Sequence, residues 1–219
     1  MFMSRFSTEP NETKQRILAS AFELFGRFGL EGTSVREIAK ASGVNLAAIN
    51  YHFRNKDNLF WEIIAHTYRK CDLDIERIVA ASTSVEAAAG GIFDYFCNES
   101  IALRNTMKMI LTENESVPQT AEALAAFNNP MGPPGGQYLG EVIQREIPYK
   151  LNRDGLLWGV KSVFGVVFHW ALMICSGRIC QQSNGQVDPL MTDAQIRVDV
   201  LRMVRSTMMF LGSEEKSFS

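Results

Sequence analysis

Apolar residues recur at helical spacing along almost the whole chain, and no alternating run flanked by turn residues predicts a β-strand. The first predicted helix begins at Thr13, whose hydroxyl can cap it, and ends at Gly29. Its apolar stripe is formed by Ile17, Ala21, Leu24, Phe25 and Phe28. Two long helices, predicted over residues 153–180 and 193–211, close the chain. The pattern therefore predicts an all-α fold.

The two short helices that follow the first one have the residue pattern of a helix-turn-helix. They are predicted over residues 33–41 and 45–53, and Ser42-Gly43 breaks the chain between them. Ala39 is small where two crossing helices approach closely, and Gly43, four residues later, can adopt a positive φ without a Cβ penalty. The apolar contacts that hold one helix across the other are expected from Val35, Ile38, Val44, Ile49 and Phe53.

The second of these short helices has one side suited to a DNA groove. If Ile49 and Phe53 face inward, helical spacing turns the opposite side of the helix outward. That side carries Leu46, Ala47, Asn50 and Tyr51. Its small residues permit close approach to the major groove, and the Asn50 amide can pair with adenine. Tyr51 can reach a base or a phosphate, or alternatively can pack against Lys56.

Side chains suited to phosphate contacts surround that side. Thr33 and Ser34 place hydroxyls at a helix N-terminus, where the dipole and the free N–H groups favour anions. The remaining candidates for this surface are Arg36, Asn45, His52 and Lys56. Asn45 can also cap its own helix. Alternatively, Arg36 is a solvated helix charge and His52 bonds to backbone groups within the head.

Charge is distributed unevenly along a chain whose composition is that of a soluble protein with a core. Hydrophobic residues make up 46% of the sequence and charged residues 21%, which excludes a disordered chain. The net charge is −2, but the segment up to Phe60 holds 8 basic against 6 acidic residues and the remainder 14 against 18. The sign of this difference suits a nucleic-acid-binding head on an acidic body.

The reactive residue types predict neither an enzyme nor a metal site. The four cysteines form no C-x-x-C pair and the three histidines are widely separated. No Ser-His-Asp set, carboxylate pair or phosphate-binding glycine motif is present, and no cofactor is expected. The N-terminal segment has no apolar region typical of a secretory signal, so a cytoplasmic protein with free thiols is expected.

Residues 155–177 form an apolar run long enough to cross a bilayer. Lys161 and His169 lie inside this run, and a Lys near the centre of a membrane span is costly in lipid. A helix that is buried on most faces within a helical domain or a dimer has the same hydropathy. This second interpretation is favoured, and no membrane association is expected.

Three motifs follow one another in residues 33–60: TSVREIAKASGV, the triplet Tyr51-His52-Phe53, and Lys56-Asp57-x-Leu59-Phe60. Together with the helix over residues 14–28 they resemble the TetR family of bacterial one-component regulators, in order and in spacing, over about fifty residues. Within the tract VNLAAINYHF, Asn50 stands where Tyr is commoner in the family, and Leu46 stands where many relatives carry a polar residue. Both departures indicate a different base preference.

This resemblance implies a three-helix DNA-binding head with a helix-turn-helix over residues 11–58, followed by a larger helical ligand-binding and dimerisation domain over 59–213. It also implies a ligand-responsive transcriptional regulator, with repression favoured, that binds palindromic double-stranded operator DNA as a homodimer. The alternative function is that of a helical adaptor or membrane-associated helical protein without DNA binding. A third class, an enzyme, has no motif in its favour.

The resemblance further implies a site for a small-molecule effector among aromatic and methionine side chains of the body. The same side chains could instead merely fill the core of a helical domain. The candidates are Phe93, Phe96, Met107, Leu111, Phe164, Phe168 and His169. The tract VNLAAINYHF resembles that of regulators that sense acyl compounds, which favours an apolar effector.

The last two helices suit dimerisation through a four-helix bundle. Gly155, Gly159 and Gly165 permit close approach of another helix. An apolar stripe along the last helix consists of Ile196, Val200, Met203, Val204, Thr207 and Leu211. The alternative is that these faces pack within one subunit.

Overall fold

The computed structural model describes residues 11–112, 117–118, 121, 124–125, 128–175 and 192–213. Every regular element among these residues is an α-helix, which confirms the predicted fold class. The helices are α1 (Glu12–Phe28), α2 (Val35–Ser42), α3 (Leu46–Phe53), α4 (Lys56–Ala80), α5 (Val85–Asn98), α6 (Ser100–Thr112), α7 (Gly136–Glu146), α8 (Arg153–Cys175) and α9 (Asp193–Ser213).

The ends of α1 are set by an asparagine and a glycine. The side-chain oxygen of Asn11 accepts hydrogen bonds from the backbone N–H groups of Thr13 and Lys14, at 2.9 and 3.3 Å. The predicted cap at Thr13 is therefore wrong, because Asn11 satisfies these donors from outside the helix and Thr13 lies within its first turn. At the other end Gly29 terminates α1, as predicted.

Residues up to 70 form one compact unit together with residues 104–128. Within this unit α1 packs against α2, and α2 packs against α3. Its largest buried side chains include Phe22, Phe25, Ile38, Ile49, Leu59 and Phe60. The rings of Phe25 and Phe60 meet edge to face, with centroids 5.4 Å apart, so α1 and α4 share one aromatic contact. The short helices α2 and α3 are thus held on a hydrophobic base.

The second half of α6 belongs to this same unit, although it lies far away in sequence. Lys108 Nζ donates to the backbone carbonyl of Arg27 at 2.6 Å, at the end of α1. A Cβ at Gly26 would lie 2.7 Å from the side chain of Asn105, so glycine is needed for this close approach. The packing unit therefore differs from the predicted head over residues 11–58. That division into functional domains stays a prediction.

Residues 71–103 and 129–219 make up the second compact unit, of which the ranges given above are described. In it α8 packs against α5, α7 and α9, and α5 also contacts α7 and α9. Two ion pairs join α5 to α9 at the surface: Asp94 with Arg197 at 2.8 Å, and Glu86 with Arg205 at 3.1 Å. The core between these helices is filled by residues such as Ile92, Phe93, Ile143, Val163, Val167 and Val200.

The apolar stripe of α9 packs inside the subunit. Its buried members are Ile196, Val200, Val204 and Leu211. A Cβ at Gly159 of α8 would lie 2.9 Å from Leu211 Cδ1, so this glycine permits close contact between two helices of one chain. Assigning these four side chains to a dimer interface is therefore wrong, because they fill the subunit's own core. Gly165 differs, since the space around its Cβ position is open.

Among the described residues, α8 is the helix that is long and apolar enough to cross a bilayer. Its fully buried residues are Gly155, Gly159, Val160, Val163, Val167 and Ala171, which lie on one face. Trp158, Lys161, Gly165 and His169 are exposed on the other side. Within the single chain the helix is therefore buried on one face, and burial on most faces within a dimer stays a prediction. The predicted end near residue 180 lies outside the described residues.

Candidate DNA-binding site

Helix α3 has a buried side and an exposed side, as its spacing predicted. Ile49 and Phe53 are 1% and 2% exposed, and they anchor the helix to the hydrophobic base. On the opposite side Leu46 is 41% exposed and Tyr51 84% exposed, which are high values for large side chains. The other exposed residues of that side are Ala47 and Asn50. The structure thus presents all four as one accessible surface, which we call the α3 face.

The start of α3 is fixed by Asn45, whose predicted capping role is confirmed. Its side-chain oxygen accepts from the backbone N–H of Ala48 at 2.8 Å. The helix ends at Arg54, which adopts a positive φ of 68°. Asn55 then caps the next helix by accepting from the N–H of Asn58 at 2.7 Å. The start of this two-turn helix is therefore set by a side chain, and its end by the backbone conformation of Arg54.

Helix α2 begins with a reciprocal capping arrangement between Ser34 and Glu37. Ser34 Oγ accepts from the Glu37 N–H at 3.2 Å, while the Ser34 N–H donates to Glu37 Oε2 at 2.8 Å. The Ser34 hydroxyl and N–H also lower the pKa of the Glu37 carboxyl below its ordinary value, because both hydrogen bonds favour the ionised form. The spacing Ser-x-x-Glu signals this motif in the sequence, but the sequence analysis did not identify it.

Thr33 is placed differently from the other candidates for DNA contact. Its side chain is 2% exposed, and its hydroxyl donates to the backbone carbonyl of Gly29 at 2.8 Å. The hydroxyl is therefore committed to the end of α1 and is shielded from solvent. This burial is the physical reason for leaving Thr33 out of the interface, although its position at the start of α2 suggested a phosphate contact.

The three predicted cationic donors differ in how far they are already engaged. Arg36 is exposed on α2. The ring of His52 is partly buried and meets the Tyr51 ring edge to face at 5.1 Å. Lys56 Nζ donates to the Leu30 carbonyl at 2.8 Å and lies 3.7 Å from Glu31 Oε1. Lys56 therefore holds the α1–α2 loop with one of its three donor hydrogens.

A residue that the sequence analysis left without a role, Arg16, reaches the turn of the helix-turn-helix. Its Nη2 donates to the backbone carbonyls of Ser42 and Gly43, at 2.5 and 2.9 Å. Gly43 has the left-handed conformation that its position predicted, with φ 64°. The contact spans 26 residues of sequence, so helical periodicity within α1 carried no signal for it.

Five of the predicted effector residues lie in the second compact unit, and three of these form an aromatic cluster. The Phe96 ring meets Phe164 and Phe168 edge to face, at 5.8 and 5.4 Å, and the last two rings are stacked at 5.7 Å. Phe93 is 2% exposed and belongs to the core, whereas His169 is exposed. The structure thus brings together three of the five candidates.

The remaining two effector candidates, Met107 and Leu111, lie in the first compact unit with the head helices. Leu111 is 71% exposed, so it does not fill the core there.

Within the part of the chain that the structure describes, no group of three His, Cys, Asp or Glu side chains could hold a metal ion.

Residues 17–63 match the family model described as bacterial regulatory proteins, tetR family. This range contains the helix-turn-helix together with the helices on which it rests. Over this range the sequence is that of a TetR-family regulator. The match ends within α4, so the family model describes only the head. The body is compared through a solved structure that aligns with the whole chain.

Curated relatives of the chain are similar to it mainly in the head. The transcriptional regulator AcrR of Shigella flexneri is 51% identical over 55 residues, which are 25% of this chain and 26% of AcrR. The dual regulator CecR of the same organism is 31% identical over 113 residues, which are 48% of this chain and 47% of CecR. The chain thus spans between about a quarter and a half of the length of these relatives.

A solved structure shares the fold of the chain over nearly its full length. It is the transcriptional regulator FadR of Bacillus subtilis, in complex with stearoyl-CoA, and it has a TM-score of 0.59. The alignment covers 90% of this chain and 97% of that one at 14% identity. Identity at this level shows a common fold for head and body, and nothing about the ligand.

Proposed function

We propose that this TetR-family chain is a ligand-responsive transcriptional regulator that binds operator DNA through the α3 face. The observation that carries the proposal is the placement of Leu46, Asn50 and Tyr51 in solvent while Ile49 and Phe53 are anchored below them. A polar amide and a phenol on a rigid, two-turn helix with small neighbours suit the major groove. The family match over residues 17–63 supports the same role.

In the proposed complex, base contacts and phosphate contacts come from different elements. Asn50 pairs with a base edge, Leu46 and Ala47 contact thymine methyl groups, and Tyr51 reaches the groove wall. Phosphates are bound by Arg36 and by the hydroxyl-capped start of α2. The further phosphate contacts are assigned to Ser34, Asn45, His52 and Lys56.

We propose further that the regulator acts as a homodimer on palindromic DNA. The side of α8 that the subunit leaves uncovered carries Trp158, Gly165 and His169, and α9 exposes Met209 and Phe210. Gly165 has open space at its Cβ position, which allows a second helix to approach closely. Two copies related by a two-fold axis would read half-sites about one helical turn, ~34–36 Å, apart.

The proposed effector is a small apolar molecule, and its binding releases the DNA. The cluster of Phe96, Phe164 and Phe168 supplies apolar surface in the body, and the structurally similar FadR was solved with stearoyl-CoA. Binding in the body would change the separation of the two heads, so that their spacing no longer fits the groove repeat. This makes the chain a repressor that is relieved by its ligand. We expect it to act in the cytoplasm and to catalyse no reaction.

Selection of bound duplexes from a random DNA pool at controlled salt tests the DNA-binding part. The expected product is an inverted repeat with half-site centres about 10 base pairs apart. If each head neutralises about four phosphates, the slope of log affinity against log salt is on the order of −7. Recovery of unrelated sequences, or an affinity that does not depend on salt, would contradict the proposal.

The effector part is tested on the selected duplex with stearoyl-CoA as the probe and free CoA as the control. Stearoyl-CoA is expected to release the parent protein from DNA and to lose this effect in Phe168→Ala, whose operator affinity without ligand stays unchanged. If stearoyl-CoA, free fatty acids and aromatic hydrophobic compounds all leave operator affinity unchanged, the assignment of an apolar effector is wrong.

A further inference from the structure

The side chain of Arg16 joins the first helix to the turn that precedes α3. One guanidinium nitrogen, Nη2, donates to the carbonyls of Ser42 and Gly43 at 2.5 and 2.9 Å. Arg16 lies in the second turn of α1, 26 residues before the turn that it contacts. In addition to the apolar contacts of the core, these hydrogen bonds therefore join α1 to the turn between α2 and α3.

The two acceptors are carbonyl groups at the C-terminus of α2, where a helix leaves its last carbonyls without intrahelical partners. A cation is favourable there, because the helix dipole places partial negative charge at that end. The Ser42 side chain is turned the other way, since its hydroxyl donates to the Ile38 carbonyl at 2.6 Å. Arg16 thus supplies hydrogen-bond donors to the Ser42 and Gly43 carbonyls, whereas the nearby Ser42 hydroxyl donates elsewhere.

The turn leaves little freedom beneath the guanidinium. A Cβ at Gly43 would lie 2.7 Å from Arg16 Nη2, so the arginine is seated directly on the glycine. The Val44 N–H donates to the Ala39 carbonyl at 3.0 Å, which closes the turn from the other side. Because Leu46, the first residue of α3, follows Gly43 by only three residues, the direction of the turn sets the direction of α3.

We propose that Arg16 is a positioning residue for sequence-specific DNA binding. It fixes the turn between α2 and α3, and thereby fixes the angle at which the α3 face enters the groove. It does this through backbone carbonyls and without a contact to DNA. This inference rests on the proposed function of the α3 face and adds to it a residue outside the helix-turn-helix.

The competing role for Arg16 is that of a cation that binds phosphate. Arg16 lines an open surface cleft that Lys40, an exposed residue of α2, lines as well. A phosphate contact and a positioning contact differ in their dependence on salt. Each neutralised phosphate contributes about 0.9 to the salt slope of B-DNA binding, whereas a positioning residue contributes nothing to it.

The test compares Arg16→Met, Arg16→Lys and the control Lys40→Met, which removes one positive charge from the same cleft. Affinity is measured for the selected operator and for a scrambled duplex over a range of salt. Arg16→Met is expected to lose roughly tenfold in operator affinity, with unchanged affinity for scrambled DNA and an unchanged salt slope. Arg16→Lys is expected to lie between Arg16→Met and the parent, and Lys40→Met to keep the parent's preference for operator.

Two outcomes would overturn the proposal: a slope reduced by about 1 in Arg16→Met, or a folded Arg16→Met that keeps the parent's operator affinity. If Arg16→Met does not fold, the operator affinity and the salt slope of Arg16→Lys are judged by the same criteria. If Arg16→Lys then has the affinity and the slope of the parent, Arg16 only stabilises the fold and the proposal is wrong.

A measurement without DNA separates this proposal from the proposed function. In Arg16→Met, amide hydrogen exchange of Gly43 and Val44 is expected to be faster than in the parent, while the core amides of α1 exchange at the parent rate. If the turn amides keep their protection, Arg16 does not hold the turn and the proposal is wrong. If the parent itself prefers no sequence, the proposed function has failed, and with it the role of Arg16 in specificity.

Discussion

Exposed residues of the head differ in whether their side chains already hold a helix in place. Asn50 and Tyr51 are free to meet a ligand surface, whereas Asn45 is bound to the N–H of Ala48. Residues of one chemical type therefore have different roles, because the helix positions them differently. A substitution series on the asparagines of the chain can separate these roles.

Substitution of Asn50 by alanine tests base recognition by the α3 face. We expect Asn50→Ala to lose about 1–3 kcal/mol of discrimination at one adenine position, because the bidentate amide contact disappears. Binding to scrambled DNA should stay unchanged. The measurement is competition binding against operator variants, and Asn98→Ala, an exposed asparagine at the end of α5, is the control. Equal losses for all sequences would assign Asn50 to the DNA backbone instead.

The capping pair of Ser34 and Glu37 predicts a pH dependence of stability. The pKa of Glu37 is lowered in the folded protein by its hydrogen bonds to Ser34, so the ionised form stabilises the start of α2. A group with a lowered folded pKa contributes fully above its ordinary value of 4.5 and loses the contribution as the pH falls through the folded value. We therefore expect the melting temperature of the parent to fall further than that of Glu37→Gln between pH 6 and pH 3. Parallel curves would contradict this assignment.

Residue patterns predicted the α3 face well, because local spacing alone decides which side of a two-turn helix is buried. Ile49 and Phe53 were expected inward, and they are buried. Thr33 was not predictable in this way, since its hydroxyl binds the Gly29 carbonyl through a loop whose path the sequence does not reveal. Arg16 was missed for the same reason: its partners are 26 residues away.

At the scale of elements, the loop before α7 is fastened to the second half of α4. The Gly135 N–H donates to Asp72 Oδ1 at 2.7 Å, so α4 anchors the residue that precedes α7. Gly135 has φ 71°, and a Cβ there would lie 2.1 Å from Ile75 Cγ2. The glycine-rich tract NNPMGPPGG, residues 128–136, is therefore packed against α4 at its last residues.

The two left-handed glycines of that loop provide a matched pair of substitutions. Gly135→Ala and Gly132→Ala both place a side chain at positive φ, but the nearest atom at Gly132 is 3.9 Å away. Both should cost about 1–2 kcal/mol from backbone conformation, and Gly135→Ala an additional 1–3 kcal/mol from overpacking against Ile75. Denaturant unfolding measures the difference, and Ile75→Ala should cost less stability in the Gly135→Ala background than in the parent. Equal costs for the two substitutions would show that Ile75 moves freely.

Three element boundaries were predicted correctly from residues that lie beside the helices, whereas the start of α1 was not. Gly29, Gly43 and Asn45 end or begin their helices as expected. The assignment of the α9 stripe failed, because an apolar stripe looks the same whether it faces its own subunit or another. The packing of Leu211 beside Gly159 shows that this stripe faces its own subunit, and the sequence alone does not reveal this contact.

At the scale of the whole molecule, the proposal requires two copies of the chain to act together. The surface proposed for dimerisation is the uncovered side of α8, where Gly165 has no neighbouring atom within 4 Å of its Cβ position. A large charged side chain there would block a second helix without disturbing the subunit.

Gly165→Arg is therefore expected to give a folded monomer, observed by analytical ultracentrifugation together with an unchanged circular dichroism spectrum. Operator affinity should fall by at least a hundredfold, because a single head reads only one half-site. Ala87→Arg, which adds the same charge at an exposed position of α5, is the control and should stay dimeric. A Gly165→Arg protein that dimerises like the parent would place the interface elsewhere.

Insertion of 5 base pairs between the half-sites of the selected operator tests whether two chains present the α3 face as a pair. We expect two chains to bind the original duplex, and the insertion to lower affinity to that of scrambled DNA, because it turns one half-site to the opposite face of the helix. An equal affinity for both duplexes, or one chain bound to each, would contradict a paired presentation of the α3 face.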